Sequence, residues 1–238
     1  MDGMIGTAAI VGMVVAAGAG ASALSRGRGV SWHWLAAAAA FLVLNDALLT
    51  NGWRFLPDMI GGDWNWQGKL LALAGTLLVA SLPGIGWKAS GLTHRQAPGS
   101  LKPAIGLSLI YAGFFVGLAL AFPGAPVSAE TVAFQLTLPG LEEEVFYRGV
   151  LLLLLARAFV DRFGYLGVEW HWGAVMSCLL FGLAHAFSYS EGRLSVDPLT
   201  MGLTAIPSVI GVWLALRTRS VLLPILLHNF GNTIMIVL

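Results

Sequence analysis

Residues 141–155 of the chain read LEEEVFYRGVLLLLL. Three glutamates and an arginine run here directly into an uninterrupted apolar stretch: Glu142, Glu143, Glu144 and Arg148. The rest of the chain is equally poor in charge, with 57% hydrophobic and 11% charged residues among 238. Soluble domains contain about 45–50% apolar and about 25% charged residues. The composition therefore excludes an ordinary soluble domain and predicts an integral membrane protein.

Long, mainly apolar runs predict about eight membrane-spanning helices in a single integral-membrane domain, residues 1–238. A helix that crosses the hydrocarbon core needs about 20 mainly apolar residues. The predicted spans cover residues 4–24, 32–50, 68–86, 104–122, 131–160, 172–188, 197–216 and 221–238. The predicted fold class is all-α, a polytopic transmembrane helical bundle, and the chemically distinctive residues all fall within about 131–238.

Basic residues concentrate in alternate loops. Nine of the thirteen fall on one side: Arg26, Arg28, Lys88, Arg95, Lys102, Arg157, Arg162, Arg217 and Arg219. The other loops hold Arg54, Lys69 and Arg193, while Arg148 lies within a span. Because lysine and arginine accumulate in cytoplasmic loops, this split predicts that both termini lie outside the cytoplasm. The alanine- and glycine-rich composition favours a bacterial plasma membrane. The sequence has no basic stripe, which argues against a nucleic acid partner.

The glutamates of the fifth span differ in their helical positions. Residues four apart lie on one face, so Glu144 lies beside Arg148 in the acid-before-base order that favours an ion pair. Glu143 points about 100° away from that pair. A desolvated carboxylate without a cation is a candidate general base, which makes Glu143 the first catalytic candidate. The role of Glu142 stays open.

Two polar residues of the second span, Asn45 and Asp46, also lie at membrane depth in this prediction. Charged groups at that depth are costly and need a partner or a function. We expect a structural role here, with Asp46 pairing with Arg148 or capping a local kink.

Two later spans each place a histidine on the same helix face as a second notable residue. In the sixth span Phe181 and His185 are four residues apart, and in the eighth His228 and Asn232 are four apart. A histidine alone in a membrane helix often bonds a neighbouring helix. The combination with Glu143 is what makes these residues a candidate site.

Other histidines and most tryptophans lie near predicted span ends or in loops, where an interfacial or solvated position is expected. The histidines are His33, His94 and His171. The tryptophans are Trp32, Trp34, Trp53, Trp64, Trp66, Trp87, Trp170 and Trp172.

The order Glu-Glu-x-x-x-Arg, Phe-x-x-x-His and His-x-x-x-Asn on separate late spans resembles the CPBP intramembrane proteases. That family includes type II CAAX prenyl endopeptidases and bacterial bacteriocin-processing or immunity-associated proteins. The resemblance covers about the last hundred residues and is carried by Glu143, Glu144, Arg148, Phe181, His185, His228 and Asn232. Each motif alone is weak, but the three in order are specific. The extra acid Glu142 departs from the pattern, and the position of Arg148 fixes the register on Glu143 and Glu144.

The resemblance implies proteolysis within or at the edge of the bilayer. It assigns the activation of a water molecule to the first glutamate and first histidine, here Glu143 and His185. It assigns support of the tetrahedral oxyanion to the second histidine and the asparagine, here His228 and Asn232. The second glutamate pairs with the arginine.

The family has been described both as glutamate-dependent proteases and as metalloproteases. A catalytic zinc holds three protein ligands and a water, and Glu143, His185 and His228 supply suitable ligand types. However, the sequence contains no His-Glu-x-x-His, and an asparagine amide is a better oxyanion donor than zinc ligand. We favour a mechanism without a cofactor, and zinc remains the alternative.

The predicted function is therefore an intramembrane endopeptidase acting on a membrane-associated substrate, such as a prenylated or lipid-anchored protein. One alternative is a non-catalytic membrane protein, such as a bacteriocin self-immunity factor or a scaffold, although a scaffold has no need for the full set of motifs. The other is a small proton-coupled transporter, which the absence of an internal repeat disfavours.

Overall fold

The structure is a computed structural model that describes residues 2–24, 29–190 and 192–238. The helices in these ranges are α1 (Asp2–Leu24), α2 (Trp32–Leu49), α3 (Trp66–Ala80), α4 (Leu101–Ala121), α5 (Ala129–Glu144), a π-helical segment (Val145–Leu151), α6 (Leu152–Ala158), α7 (Trp172–Ala186), α8 (Pro198–Thr218) and α9 (Leu222–Val237). The strands are β1 (Arg162–Tyr165), β2 (Val168–His171), β3 (Phe187–Ser190) and β4 (Arg193–Val196).

The helices fall close to the predicted spans, but eight membrane-spanning helices are not confirmed. Within the described ranges, four helices are long and apolar enough to cross a membrane: Met4–Leu24, Trp32–Leu49, Leu101–Ala121 and Pro198–Thr218. The apolar helices α3, α7 and α9 have 15, 15 and 16 residues. At 1.5 Å per residue they are about 22–24 Å long, shorter than the hydrocarbon core of about 30 Å.

The mainly helical architecture agrees with the prediction, but the described residues also form two short antiparallel hairpins that the all-α prediction lacks. Strands β1 and β2 pair between α6 and α7, and β3 and β4 pair between α7 and α8. The turn of the first hairpin, Leu166 and Gly167, has positive φ at both residues. This is the conformation of a tight hairpin turn whose twist matches that of the strands. A search for apolar runs does not detect such short polar hairpins.

The fifth predicted span contains a completely buried segment. It consists of α5, the π-helical segment and α6 in direct succession, and all seven residues of Val145–Leu151 are buried. Phe146, Leu151 and Leu155 lie in a core cluster with residues of α2 and α7. The π-helix follows directly after the three glutamates, and such wide turns occur frequently at functional sites.

Helix α4 illustrates the opposite environment. Its buried residues are Ala104 and Ala119, whereas Leu109, Ile110 and Leu120 are about two-thirds exposed. A helix that is apolar on all sides is typical of a core or of a membrane span. Because α4 leaves its apolar side chains outside the core, it is placed to face lipid.

Asp46 has a structural role, as expected, but its partners differ from the one proposed, and His171 is buried instead of interfacial or solvated. Asp46 accepts hydrogen bonds from Thr7 Oγ1 and from Trp53 Nε1, at 2.5 and 2.8 Å. It therefore ties α1 and the loop after α2 together and does not pair with Arg148. His171 is buried, and its Nδ1 accepts a hydrogen bond from Ala174 N at 3.0 Å, which caps α7.

Candidate active site

Close contact between α5 and α9 brings the first and third motifs together. The backbone N–H of Gly140 in α5 donates to Asn229 Oδ1 in α9 at 2.8 Å. A Cβ atom on residue 140 would lie only 2.9 Å from the carbonyl oxygen of Ile225. Glycine is thus required for the two helices to approach, two residues before the first of the three glutamates.

Glu144 and Arg148 form the ion pair that their helical spacing predicts. Glu144 Oε1 lies 3.1 Å from Arg148 Nη1, and both side chains are almost completely buried. The guanidinium also donates from Nη2 to Ser208 Oγ in α8 at 2.9 Å. The same Glu144 oxygen lies 2.8 Å from His228 Nδ1. One carboxylate therefore joins α5, the π-helical segment and α9.

Phe181 packs against the arginine and both motif histidines. The Arg148 Cζ atom lies 4.1 Å from the centre of the Phe181 ring, within the range of a cation–π contact. The ring centres of His185 and His228 lie 4.6 and 5.9 Å from that of Phe181. This aromatic side chain restricts the orientations of the two imidazoles.

Hydrogen bonds at the Nδ1 atoms fix which nitrogen of each imidazole faces the site. His185 Nδ1 lies 2.8 Å from the carbonyl oxygen of Phe181, so Nδ1 must be the donor. His228 Nδ1 faces Glu144 in the same way. The two Nε2 atoms lie 3.7 and 3.8 Å from Glu143 Oε2. Three polar atoms from three helices therefore converge on one point.

Glu143 is not the unpaired carboxylate that the sequence predicts. Its Oε1 lies 2.6 Å from Lys69 Nζ. Lys69 is not in an outer loop but in the first turn of α3, where its side chain is about 11% exposed. The other oxygen, Glu143 Oε2, is buried and accepts no hydrogen bond from any residue in the described ranges. Lys69 thus occupies one side of the carboxylate and leaves the other side for the histidines.

Glu142, whose role the sequence leaves open, is the second partner of Lys69. Its Oε2 lies 2.7 Å from Lys69 Nζ, and its Oε1 accepts a hydrogen bond from Asn45 Nδ2 at 3.0 Å. Glu142 is only 1% exposed. We call Lys69, Glu142, Glu143 and Asn45 the lysine cluster. It joins α2, α3 and α5.

Asn232 lies one turn after His228 on the same face of α9, as its spacing predicts. Its Nδ2 donates to Gln135 Oε1 in α5 at 3.1 Å. A primary amide carries two N–H donors, so this bond leaves a second donor on the same nitrogen. Both side chains line the cavity that also contains Glu143.

A cavity of about 580 Å³ contains the convergence point, a volume typical of ligand sites. Its polar lining includes Glu143, Glu144, Arg148, His185, His228 and Asn232. Its apolar lining includes Phe115, Phe134, Leu203, Ile210, Leu227, Met235 and Ile236. All the catalytic candidates of the sequence are therefore present in one cavity, which also offers a large apolar surface.

Trp64, for which the sequence predicts only an interfacial position, also lines this cavity. Its ring stacks on Phe134 with centres 5.0 Å apart, and its Nε1 donates to Thr131 Oγ1 at 3.0 Å. The adjacent Trp66 donates from Nε1 to Glu130 Oε1 at 3.0 Å. The loop before α3 is thereby attached to the first turn of α5.

The fit of a zinc ion depends on Glu143, His185 and His228, whose atoms are of suitable ligand types. Within the part of the chain that the structure describes, no group of three His, Cys, Asp or Glu side chains is arranged to hold a metal ion. The ammonium of Lys69 is in contact with Glu143. Its positive charge opposes the binding of a divalent cation by the same carboxylate. The residues present therefore fit a zinc site poorly.

Sequence reasoning missed three contacts of the site, Lys69, Gln135 and Ser208, and it pointed to Asn45 without its partner Glu142. Charge balance was the one available signal for Lys69. The fifth span has three acids for a single nearby arginine, and Lys69 lies within the predicted span 68–86. For Asn45, Gln135 and Ser208, nothing in the local sequence indicates which helix they contact.

Residues 125–234 match the model of a family described as type II CAAX prenyl endopeptidase Rce1-like. The match contains all three motifs and leaves out residues 1–124, so Lys69 and Asn45 lie outside it. Comparison with curated proteins and with solved structures found no match. The family implies a peptidase, and the long apolar helices agree with an integral membrane protein. The three motifs and the family match agree: over residues 125–234 the chain is similar to the Rce1-like type II CAAX prenyl endopeptidases.

Proposed function

We propose that this chain is an intramembrane endopeptidase in which Glu143 and His185 activate the attacking water. The observation that carries this proposal is the convergence of Glu143 Oε2 with the two imidazole Nε2 atoms, at 3.7 and 3.8 Å, inside the cavity. Glu143 Oε2 is buried and accepts no hydrogen bond from the described residues. A buried oxygen of this kind is costly unless a ligand or water satisfies it, so the site suits a bound water.

The two histidines differ in a way that supports separate roles. The side chain of His185 is 35% exposed and donates from Nδ1 to a neutral carbonyl, which leaves Nε2 as an acceptor for a water proton. His228 is 13% exposed and lies between the carboxylates of Glu143 and Glu144. The proposed role of His228 requires an imidazole that donates from both nitrogens, from Nδ1 to Glu144 and from Nε2 into the site.

The proposed reaction follows from these positions. Glu143 Oε2 takes a proton from the water while the water oxygen attacks the scissile carbonyl carbon. The carbonyl oxygen becomes an oxyanion that accepts hydrogen bonds from His228 Nε2 and from the second N–H of Asn232. Glu143 then passes the proton to the amide nitrogen, and the carbon–nitrogen bond breaks. Such positioned acids, bases and donors are the requirements of a hydrolytic acyl-transfer site.

The apolar lining of the cavity supports a membrane-associated substrate with a lipid chain, including a prenylated protein. The side chains of Phe115, Leu203 and Met235 from α4, α8 and α9 give such a chain apolar surface beside the catalytic candidates. Burial of an alkyl chain contributes about 0.8 kcal/mol per methylene group. We therefore expect a lipidated peptide to bind more tightly than the same peptide without its lipid.

The decisive experiment uses the purified protein with matched prenylated, acylated and unlipidated peptides, and mass spectrometry identifies the products. We expect cleavage of a lipidated peptide by the wild-type protein and background signal from Glu143→Gln. Cleavage of no peptide, or equal cleavage by Glu143→Gln, would count against the proposal. The first of these results favours the alternative of a non-catalytic membrane protein.

A mechanism without a metal is also part of the proposal, on the grounds of the Lys69 contact. Exhaustive chelation that removes bound metal without unfolding the protein should leave turnover unchanged. Loss of turnover that zinc restores would instead assign Glu143, His185 and His228 as ligands.

We propose that both termini lie outside the cytoplasm of a bacterial plasma membrane. Removing Lys69 from the loop count leaves only Arg54 and Arg193 on the outer side, which sharpens the asymmetry. Reporter fusions at residues 95 and 217 should then report cytoplasm, and a fusion at residue 193 the exterior.

A further inference from the structure

Lys69 makes two ion pairs that differ in their relation to the site. Its Nζ contacts Glu142 Oε2 at 2.7 Å and Glu143 Oε1 at 2.6 Å. In the pair with Glu142, the carboxylate also accepts a hydrogen bond from Asn45 in α2. The pair with Glu143 holds the carboxylate from the side opposite its free oxygen. The lysine is therefore in direct contact with the proposed base.

The surrounding helices hold Lys69 in place. Helix α3 begins directly before it, where the Asn65 side chain caps the helix by accepting from Gly68 N at 3.0 Å. A Cβ atom on residue 68 would collide with the carbonyl oxygen of Leu49 at the end of α2. Glycine at 68 thus lets α3 pack closely against α2. The lysine emerges from this contact with its ammonium between the two acids.

We infer that Lys69 is a positioning residue that orients Glu143 for catalysis, an inference that rests on the proposed function. A carboxylate that is free to rotate about its terminal bond can present either oxygen in several directions. Lys69 holds Oε1, so that Oε2 faces the two Nε2 atoms. Glu142 and Asn45 hold the ammonium itself through the other ion pair. The N-terminal half of the chain, outside the family match, thereby completes the site.

Lys69→Met alone is a poor test because it leaves two adjacent buried carboxylates without a cation. The double variant Lys69→Met/Glu142→Gln removes one positive and one negative charge, so the net charge of the lysine cluster stays the same. Its matched control is Glu142→Gln, which retains the contact between Lys69 and Glu143. The assay uses an internally quenched peptide with a prenylated cysteine and measures kcat, KM and the midpoint of thermal unfolding.

Glu142→Gln keeps an amide oxygen that can accept from Lys69 Nζ, and its kcat is the reference against which the double variant is measured. The double variant should lose on the order of 10²-fold in kcat, the scale that a misplaced catalytic group costs, while KM changes by less than about threefold. Thermal midpoints of the double variant and its control should be similar. A merely structural role for Lys69, as the counter-charge of Glu142, predicts instead that the double variant has the kcat of its control, and that result would overturn the inference.

If the double variant does not fold, Lys69→Arg decides. Arginine keeps the charge but has a longer, planar donor group that cannot reproduce both contacts, so kcat should fall about tenfold at an unchanged thermal midpoint. Wild-type kcat in that variant would overturn the inference. The activity of Glu143→Gln separates the two proposals. If Glu143→Gln is inactive and the double variant is active, only the positioning role of Lys69 is refuted. If Glu143→Gln is active, the catalytic assignment of Glu143 is refuted.

Discussion

Neighbouring carboxylates of α5 are neutralised by two groups that differ in sequence separation. One is the arginine pair, formed by Glu144 and Arg148, and the other is the lysine cluster. The arginine pair joins residues four apart in the chain. The lysine cluster joins residues more than 70 positions apart, through Lys69 and Asn45. The first is set by the period of one helix, and the second requires α2, α3 and α5 to pack together. Adjacent glutamates thus acquire one local and one long-range partner.

This difference assigns different tasks to Glu143 and Glu144. Glu144 is enclosed by Arg148 and His228 and is only 3% exposed, so it is suited to structural neutralisation. Glu143 has one oxygen held and the other directed at two histidines in a cavity. Substitutions of Glu143, of Glu144, of a residue in α9 and of a residue outside both carboxylate environments test this difference in tasks.

The largest effect is expected for the activity of Glu143→Gln. The amide cannot accept the proton of the attacking water, so kcat should fall by about 10²–10⁴, to background in most assays. Peptide cleavage followed by mass spectrometry measures this loss. The fold should persist because Lys69 retains Glu142, and a normal thermal midpoint controls for that.

The second prediction is a loss of stability in Glu144→Gln. The substitution leaves the Arg148 guanidinium buried without a counter-charge, which costs about 3–5 kcal/mol for a buried pair. Thermal melts in detergent should show a larger decrease for Glu144→Gln than for Glu143→Gln. A larger decrease for Glu143→Gln would mean that the two carboxylates have been assigned the wrong tasks.

Asn232→Ala tests the α9 side of the site. It removes one of the two proposed oxyanion donors and should reduce kcat by about 10²–10³ without abolishing it. Gln135→Met is the matched control, because it removes the partner of Asn232 but not the donor itself. Turnover of Asn232→Ala equal to that of the control would exclude the oxyanion role.

The smallest effect on stability is expected from the titration of His171. This residue lies in β2, outside the helices, and belongs to neither the arginine pair nor the lysine cluster. Burial, together with the positive charge of Arg162, lowers the pKa of His171 to about 4. The unfolded chain binds this proton at a higher pH, so stability should decrease as the pH falls from about 6.5 to about 4, by about 1–3 kcal/mol. Protonation also converts Nδ1 from an acceptor into a donor that opposes Ala174 N–H.

Unfolding free energies measured across that pH range, for the wild type and for His171→Asn, check this prediction. Asparagine is a favoured helix cap but does not titrate, so the variant should lose this part of the pH dependence. An identical slope in both proteins would show that another group is responsible.

The sequence by itself determined the membrane class, the approximate positions of the helices, the Glu144–Arg148 pair, and the shared faces of Phe181 with His185 and of His228 with Asn232. Composition and the period of a single helix are sufficient for these features, because each depends on residues within about one turn. The same local rules do not establish the number of spans, because an apolar run does not reveal how many of its residues become helical.

Only the tertiary structure decided the partner of Glu143 and the role of Glu142. Lys69 lies within a predicted span, but its side chain reaches the acids only because Gly68 lets α3 pack against α2. The orientation of the histidines likewise depends on contacts from other helices, with Glu144 holding His228. These contacts are between residues distant in the chain, and their distances are set by helix packing, which no local period encodes.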